Sequence, residues 1–351
     1  MRTRLPNGTR SLSILNPKTL LPVLFSLSAA ACGESSPASN PPSGTPPPPS
    51  GTATPTVLAF ALDSGVTDAK VDGLAIRTSW ARLEPTEGRY DWTALDSTLA
   101  EVAAAKKKAT LHVLGSGYAQ VTPSWLMAAG VQFYNGFKGP DPVPWDPVFL
   151  QKWGNFLPKL AEHLRATGGD SVLLNMTVAV PVPEMNLFSC RNGMLDGNSI
   201  AYDRAKYMAA WTQMVDLYQA NFPQVNRFIS APQNGICLAD NDTQFFTELM
   251  RYAQGKDATH HFIFAADLSA QGSARTQPYL SLAPPASLSF QPVAAYTNDP
   301  NHWVKGTLLQ LYCSGLKLGG TYFEVYASDL SSTDSAVQQG ISAIHQPSLC
   351  P

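Results

Sequence analysis

The stretch Gly73–Trp92, GLAIRTSWARLEPTEGRYDW, begins as an apolar strand and ends in a cluster of charged and aromatic residues. Its apolar start is followed by Arg77, Trp80 and Glu84, and then by the aromatic pair around Asp91. In barrels of parallel strands, the side chains at the carboxyl ends of the strands line the site. The stretch therefore predicts a binding or catalytic site at the end of its strand.

Similar apolar segments recur along the chain, with helical segments between them. The 351 residues are 44% hydrophobic and 14% charged, which is enough to bury a large core. Eight segments are strand candidates, at residues 57–62, 73–79, 109–114, 172–180, 227–231, 261–268, 292–296 and 319–326. Eight strands that alternate with helices are typical of a (β/α)8 barrel. We therefore predict a single α/β domain, a (β/α)8 TIM barrel, over residues 57–351.

The first 32 residues have the pattern of an export signal. Four basic residues, Arg2, Arg4, Arg10 and Lys18, precede an apolar run at 20–31 that ends in small residues before Cys32. The string LSAAAC at 27–32 resembles a bacterial lipoprotein box, in which the cysteine is lipidated after cleavage. The alternative is an ordinary secretory signal that leaves Cys32 as a free thiol. Either reading predicts that residues 1–31 are a signal peptide.

Residues 32–56 predict a linker with almost nothing to bury. The segment 33–56 contains eight prolines among Ser, Gly and Thr, a composition that favours extended polyproline II. With lipidated Cys32 at its start, this segment is expected to tether the domain to a membrane. The predicted location is the bacterial cell envelope, with the domain facing the periplasm or the exterior.

The charge balance argues against nucleic acid as a partner. Removal of residues 1–31 leaves 20 Lys and Arg against 26 Asp and Glu, a formal charge near −6. No C-x-x-C motif or His/Cys cluster predicts a metal site, since the pair His260-His261 has no third ligand nearby in the sequence. We expect no cofactor, and we expect the protein to be a monomer.

Four cysteines remain after Cys32, an even number in a chain expected to be exported. Such a set allows two disulfides in three possible pairings. The favoured pairs are Cys190 with Cys237 and Cys313 with Cys350, and the alternative is four buried thiols.

Two glutamates stand where a barrel places its chemistry. Glu184 follows the apolar segment VLLNMTVAVPVP, and Glu324 lies inside the segment GGTYFEVYASD, where burial of an unpaired carboxylate is costly. A pair of carboxyl groups is what glycoside hydrolysis needs: one protonates the leaving oxygen, and the other attacks the anomeric carbon or activates water. A structural role is the alternative for each, with Glu184 accepting from loop amides and Glu324 paired with Arg77.

Aromatic residues at or just after the strand candidates are predicted to bind sugar rings. Flat rings can stack on the C–H faces of a sugar, although a place in the hydrophobic core is the commoner fate of a single tryptophan. The predicted substrate-binding residues, with Arg77, are Trp80, Tyr118, Trp125, Trp145, Tyr296 and Tyr322.

The motif R-x-x-W-x-x-x-E-P-x-x-G-x-Y-D-W at 77–92, followed by T-P-x-W-L at 122–126, resembles the N-terminal half of retaining β-galactosidase-like glycoside hydrolases. The resemblance covers about residues 73–164. It implies that Glu184 is the acid/base after strand four, that Glu324 is the nucleophile, and that Arg77 orients it. It also places the nucleophile on strand seven, whereas Glu324 falls in the eighth strand candidate, and it places Asn where Pro183 stands.

Two functions of different kinds follow. The first is an exported, membrane-anchored and retaining glycosidase that acts on an oligosaccharide or polysaccharide. The second is a non-catalytic envelope lipoprotein that binds carbohydrate on the same barrel, and its support is Pro183 before Glu184. A purely structural envelope protein is the least favoured, because it leaves the carboxylates and aromatics unexplained. A fold alone does not choose among them.

Overall fold

Eight parallel strands close into a barrel in the computed structural model, which describes residues 56–118, 120–136, 139–179, 190–191, 194–195, 200–232, 242–274, 276–283 and 287–351. Each strand pairs with the next along the chain, and the last pairs with the first, with Glu324 beside Phe60. The strands are β1 (Leu58–Leu62), β2 (Gly73–Ser79), β3 (Lys108–Leu114), β4 (Leu173–Thr177), β5 (Asn226–Ser230), β6 (His261–Leu268), β7 (Leu288–Pro292) and β8 (Gly320–Tyr326). The predicted (β/α)8 barrel is confirmed.

Seven strands closely match their predicted segments, whereas β7 shares only Pro292 with its segment. The sequence predicted a strand at 292–296, whereas β7 spans Leu288–Pro292 and Tyr296 begins a 3-10 turn, Tyr296–Asn298. The prediction was wrong because Ser289, a small polar residue, is fully buried in β7 and interrupts its apolar pattern. Pro292, which has no N–H to donate to a neighbouring strand, ends the strand rather than starting it.

The described residues include six longer helices, five between successive strands and the sixth after β8. They are α1 (Thr93–Ala104), α2 (Pro147–Thr167), α3 (Arg204–Asn221), α4 (Asp242–Lys256), α5 (Leu308–Lys317) and α6 (Ser335–Ser342). The Asp146 side chain accepts from Phe149 N at 2.8 Å, and Pro147 occupies the first turn, so the start of α2 is encoded locally. Gly168, at φ 77°, ends the helix. None of the helices in the described residues is both long enough and apolar enough to cross a membrane.

Shorter elements lie in the connections. Single helical turns are Trp80–Leu83, Trp125–Ala128, Gln277–Leu280 and Ala327–Leu330, and further 3-10 turns are Gly169–Ser171 and Pro347–Leu349. Two small antiparallel sheets follow β3 and β4, one of Phe133–Asn135 with Pro140–Pro142 and one of Cys190–Arg191, Met194–Leu195 and Ile200–Ala201.

The barrel has two apolar layers, because successive side chains of a strand face opposite sides. A small inner cluster fills the barrel with Phe60, Leu62, Ala75, Phe228, Phe264 and Tyr322. The larger outer cluster packs the strands against the helices. Phe228 faces the inner cluster, so its neighbour Arg227 points outward toward the helices.

Arg227 is the centre of a charged group at the amino end of β5. Its side chain is fully buried, and its Nη2 donates to Asp257 at 2.5 Å. Its Nε donates to His261 Nε2 at 3.2 Å, while His261 Nδ1 donates to the Asp257 carbonyl at 2.9 Å. Burial lowers the pKa of His261 to about 4, so this imidazole is neutral and can accept from the guanidinium.

The C-terminal segment is fixed to the barrel at two points. Cys313 on α5 and Cys350 form a disulfide with a Cα–Cα distance of 5.4 Å, as predicted. His345 lies 2.8 Å from Asp72 in the connection between β1 and β2, and Ala59 N donates to the same carboxylate at 2.7 Å.

The other predicted pair, Cys190 with Cys237, falls outside the described residues. Cys237 is among the residues left undescribed, and only the backbone of Cys190 is described.

Candidate active site

A cavity of about 290 Å³ opens at the carboxyl end of the barrel. All of β2 to β8 contribute a side chain to it, most of them from the last residues of the strand, as expected for a barrel of this kind. The lining residues are Arg77, His112, Leu114, Tyr118, Thr177, Ser230, Phe264, Gln291 and Glu324. Three of the predicted site residues, Arg77, Tyr118 and Glu324, are therefore brought together here.

Glu324 on β8 is the acidic residue of this cavity among the described residues. Its side chain is only 1% exposed. Tyr322 OH donates to Glu324 Oε1 at 3.1 Å, and His112 Nε2 lies 2.8 Å from the same oxygen. Burial raises the pKa of Tyr322 well above its ordinary value, so the phenol keeps the proton that it donates. Tyr322, predicted to bind substrate, instead lies in the barrel interior and contacts this carboxylate.

His112 and the residues behind it were not predicted from the sequence. His112 Nδ1 lies 2.5 Å from Thr177 Oγ1, and both side chains are buried. Beneath them, Thr110 Oγ1 lies 3.0 Å from Tyr322 OH and accepts from Asn175 Nδ2 at 2.9 Å. Polar residues at 110 and 112, alternating with apolar neighbours in KATLHVL, were the available signal, because this spacing puts both on the same face of β3.

Arg77 pairs with Asp63 rather than with Glu324. Its Nε donates to both carboxylate oxygens of Asp63, at 2.9 and 3.2 Å, and its Nη2 also contacts this carboxylate. Burial lowers the pKa of Arg77, but the hydrogen bond and charge of Asp63 outweigh it and raise the pKa, with a smaller contribution from Glu324. Arg77 thus places a fixed positive charge, 41% exposed, at the edge of the cavity.

Trp80 and Trp125 lie in the outer aromatic layer and not along the cavity. Trp80 is fully buried, and its ring meets Trp125 and Trp153 edge to face at 5.5 and 4.9 Å. The Trp80 indole donates to Glu84 Oε2 at 2.7 Å, and the Trp125 indole donates to the Glu84 carbonyl at 2.9 Å. Gly88 N donates to Glu84 Oε1 at 2.7 Å, so Glu84 braces the turn after β2.

Trp145 and Tyr296 are half-buried and do not line the cavity formed by the described residues. Trp145 packs edge to face against Tyr202 and Tyr207, with ring centroids 6.0 and 5.9 Å apart. Tyr296 N donates to the buried carboxylate of Asp329 at 3.0 Å. Their predicted substrate contacts stay predictions, as does the role of Glu184, which lies outside the described residues.

The carboxyl end of β7 carries no acid. Gln291 lines the cavity there, and Pro292 ends the strand. The resemblance to β-galactosidase-like enzymes implies an acidic nucleophile on strand seven, whereas the cavity carboxylate Glu324 is on β8. Within the described residues, no group of three or more His, Cys, Asp or Glu side chains is arranged to hold a metal ion.

The comparisons with known proteins agree with this architecture. A family model described as beta-galactosidase matches residues 66–130, which are 65 of the 351 residues and include β2, α1 and β3. No curated protein matches this chain.

Solved structures of low sequence identity are similar to parts of this chain. Xylanase 10B from Thermotoga maritima is similar over 84% of this chain and 96% of that chain, with a TM-score of 0.50 and 8% sequence identity. A thermostable xylanase mutant from Cellvibrio japonicus is similar over 83% of this chain and 98% of that chain, with a TM-score of 0.48 and 11% sequence identity. An intracellular xylanase from Thermoanaerobacterium saccharolyticum, solved with xylotetraose, is similar over 78% of this chain and 85% of that chain, with a TM-score of 0.45 and 16% sequence identity.

Proposed function

We propose that this protein is a glycoside hydrolase that cleaves O-glycosidic bonds of an oligosaccharide or polysaccharide. The observation that carries the proposal is Glu324, a carboxylate buried in the barrel interior whose Oε1 is held by Tyr322 and His112 at the floor of a cavity. Burying a carboxylate costs free energy, and hydrogen bonds are needed to offset that cost. A carboxylate kept in such a place therefore favours a functional role. The match of residues 66–130 to a beta-galactosidase family model supports the same class.

In the proposed reaction, Glu324 is the nucleophile and Glu184 the acid/base. A lone pair of Glu324 forms a bond to the anomeric carbon while the glycosidic C–O bond breaks, and the leaving oxygen takes the proton of Glu184. Water then attacks the glycosyl ester, giving its proton back to Glu184 and releasing Glu324. Two displacements retain the anomeric configuration.

Arg77 contributes charge near this reaction. Its guanidinium is fixed by Asp63, so it can donate to sugar hydroxyls without reorganising. Tyr118, the exposed aromatic residue of the cavity wall, is proposed to stack on the sugar ring.

The test is hydrolysis of a panel of aryl glycosides by the wild type and by Glu324→Gln and Glu184→Gln. Each variant is expected to lose at least about 10³-fold in kcat, because each removes a reacting group. Glu162→Gln, the same chemical change on the outside of α2, is the matched control. Mass spectrometry of the enzyme with a slow 2-fluoro glycoside is expected to find the sugar on Glu324. Full activity of Glu324→Gln would exclude this mechanism.

A non-catalytic carbohydrate-binding protein is the second candidate. It is favoured by Gln291, which stands at the end of β7 where the resemblance to β-galactosidase-like enzymes implies an acid. This candidate predicts saturable binding of glycans by calorimetry, no turnover of any glycoside, and binding that survives Glu324→Gln.

The proposed location is the bacterial envelope, with lipid on Cys32 as the anchor. The support is the LSAAAC string at 27–32 and the proline-rich segment that follows it. Expression of the full chain with Cys32→Ala is expected to move the protein from the membrane fraction to the soluble fraction. Equal membrane content in the variant and the wild type would refute the anchor.

A further inference from the structure

Two chains of hydrogen bonds end on the same oxygen of Glu324. The first consists of Thr177 and His112, and the second of Asn226, Asn175, Thr110 and Tyr322. An ionised carboxylate only accepts hydrogen bonds, which fixes the direction of the last bond in each chain. With a neutral His112 and the Tyr322 hydrogen on Glu324, one consistent direction can be given to each earlier bond.

In the first chain, the bond to Glu324 Oε1 requires a hydrogen on His112 Nε2, 2.8 Å away. A neutral imidazole carries one N–H, so Nδ1 is then an acceptor. The group beside Nδ1 is the Thr177 hydroxyl, 2.5 Å away, which can donate to a neutral ring. In a neutral ring, this contact favours the tautomer of His112 that can hold Glu324.

In the second chain, Asn226 Nδ2 donates to Asn175 Oδ1 at 3.0 Å, and Asn175 Nδ2 donates to Thr110 Oγ1 at 2.9 Å. The Thr110 hydroxyl is left with its own hydrogen for Tyr322, which lies 3.0 Å away. Tyr322 has a single hydrogen, and it goes to Glu324. With these directions the donors of both chains point toward the carboxylate, an arrangement in which each bond polarises the next.

Both chains end on Oε1, and among the described residues no hydrogen bond reaches Oε2. Building on the proposed function, we propose that Thr177 and His112 are positioning residues that hold Oε1, so that Oε2 is the atom that attacks the anomeric carbon. In that step Oε2 gives its lone pair to the new C–O bond, the glycosidic bond breaks, and its electrons stay on the leaving oxygen, which takes the proton of Glu184.

The kinetic test uses Thr177→Val, which keeps the shape of the side chain and removes the hydroxyl. Loss of a hydrogen bond that orders a charged group is expected to lower kcat on an aryl glycoside by about 10- to 100-fold, with KM unchanged. Thr177→Ser, which restores the hydroxyl, is expected to return kcat to within about threefold of the wild type. Thermal unfolding of all three proteins shows whether the fold is intact.

The second readout needs no substrate. In ¹⁵N-histidine-labelled protein at pH 7.5, the wild-type His112 signals, assigned with His112→Gln, are expected to show hydrogen on Nε2 and none on Nδ1. Thr177→Val is expected to give a mixture of the two tautomers, and Thr177→Ser the wild-type pattern.

The outcomes separate the two proposals. Hydrogen on Nδ1 in the wild type, or turnover by Thr177→Val with the wild-type kcat, overturns the positioning role and leaves the glycosidase proposal standing. If the wild type turns over no glycoside while the tautomer is as described, the glycosidase function fails, and the role in attack fails with it.

Discussion

Breaking the Cys313–Cys350 disulfide is expected to lower the free energy of unfolding by about 4 kcal/mol. The bond closes a loop with a sequence separation of 37 residues. The chain-entropy relation for a loop of that length gives about 13 cal/mol/K, or about 4 kcal/mol at 25 °C. For a barrel of roughly 300 residues, the unfolding entropy of about 2.1 cal/mol/K per residue converts this loss into a Tm lower by about 6 °C.

Two variants separate the cross-link from packing. Cys350→Ala breaks the bond and keeps the sulfur of Cys313, which is buried in α5. The double variant with Cys313→Ala also removes that sulfur, so the difference between the two variants measures packing alone. Urea unfolding followed by circular dichroism, without reductant, gives the free energies. If Cys350→Ala unfolds within about 1 kcal/mol of the wild type, the loop-entropy reasoning is refuted.

Three further changes test the barrel and its charges. Burial raises the pKa of Asp257, but hydrogen bonds outweigh it and hold the pKa well below its usual range, so the stabilisation from this carboxylate is present above about pH 4 and lost as the pH falls further. Asp257→Asn leaves a buried guanidinium without its carboxylate and is expected to lower the free energy of unfolding in urea by about 3–5 kcal/mol at pH 7. A smaller loss at pH 7 than at pH 3 would contradict this. The hydrogen bond to Asp72 raises the pKa of His345, so the stabilisation from this pair is present below about pH 6.5 and lost as the pH rises through the raised value. NMR titration of His345 checks the direction of the shift. His345→Gln is expected to remove a pH-dependent contribution to the free energy of unfolding on the order of 0.5 kcal/mol. Gly73→Ala would put a Cβ 2.3 Å from a backbone oxygen of β3 and from a ring of β1, and is expected to lower the free energy of unfolding by about 1–3 kcal/mol. In the control Gly255→Ala the added Cβ meets nothing within 4 Å, and the change is expected to stabilise α4 by about 0.5–1 kcal/mol. Equal unfolding midpoints for the two glycine variants would count against the close contact.

The sequence predicted the barrel because its strands are long apolar runs separated by helices with clear starts. The segment 261–268 was predicted with the bounds that β6 has, since burial on both faces leaves a continuous apolar signal. The strand β7 was displaced because Ser289 faces the packed interior, and a small polar residue in such a place is indistinguishable from a loop residue in one sequence.

Side-chain direction was the part of the site that the sequence did not contain. Trp80 directly follows β2, but the helical turn that begins there directs its ring into the outer layer against Trp153. Glu324 was found because an acid within an apolar strand is rare. His112 was passed over, since its partner Glu324 lies 212 residues away and only the closed barrel brings them together.

That separation also sets when the site can exist. The hydrogen bond between His112 and Glu324 requires β8, which closes the barrel against β1. At about 5–20 residues per second, the ribosome takes roughly 10–40 s to go from one residue to the other. A nascent chain that ends before residue 324 is without its cavity carboxylate, so the site assembles only after almost the whole barrel has been synthesised.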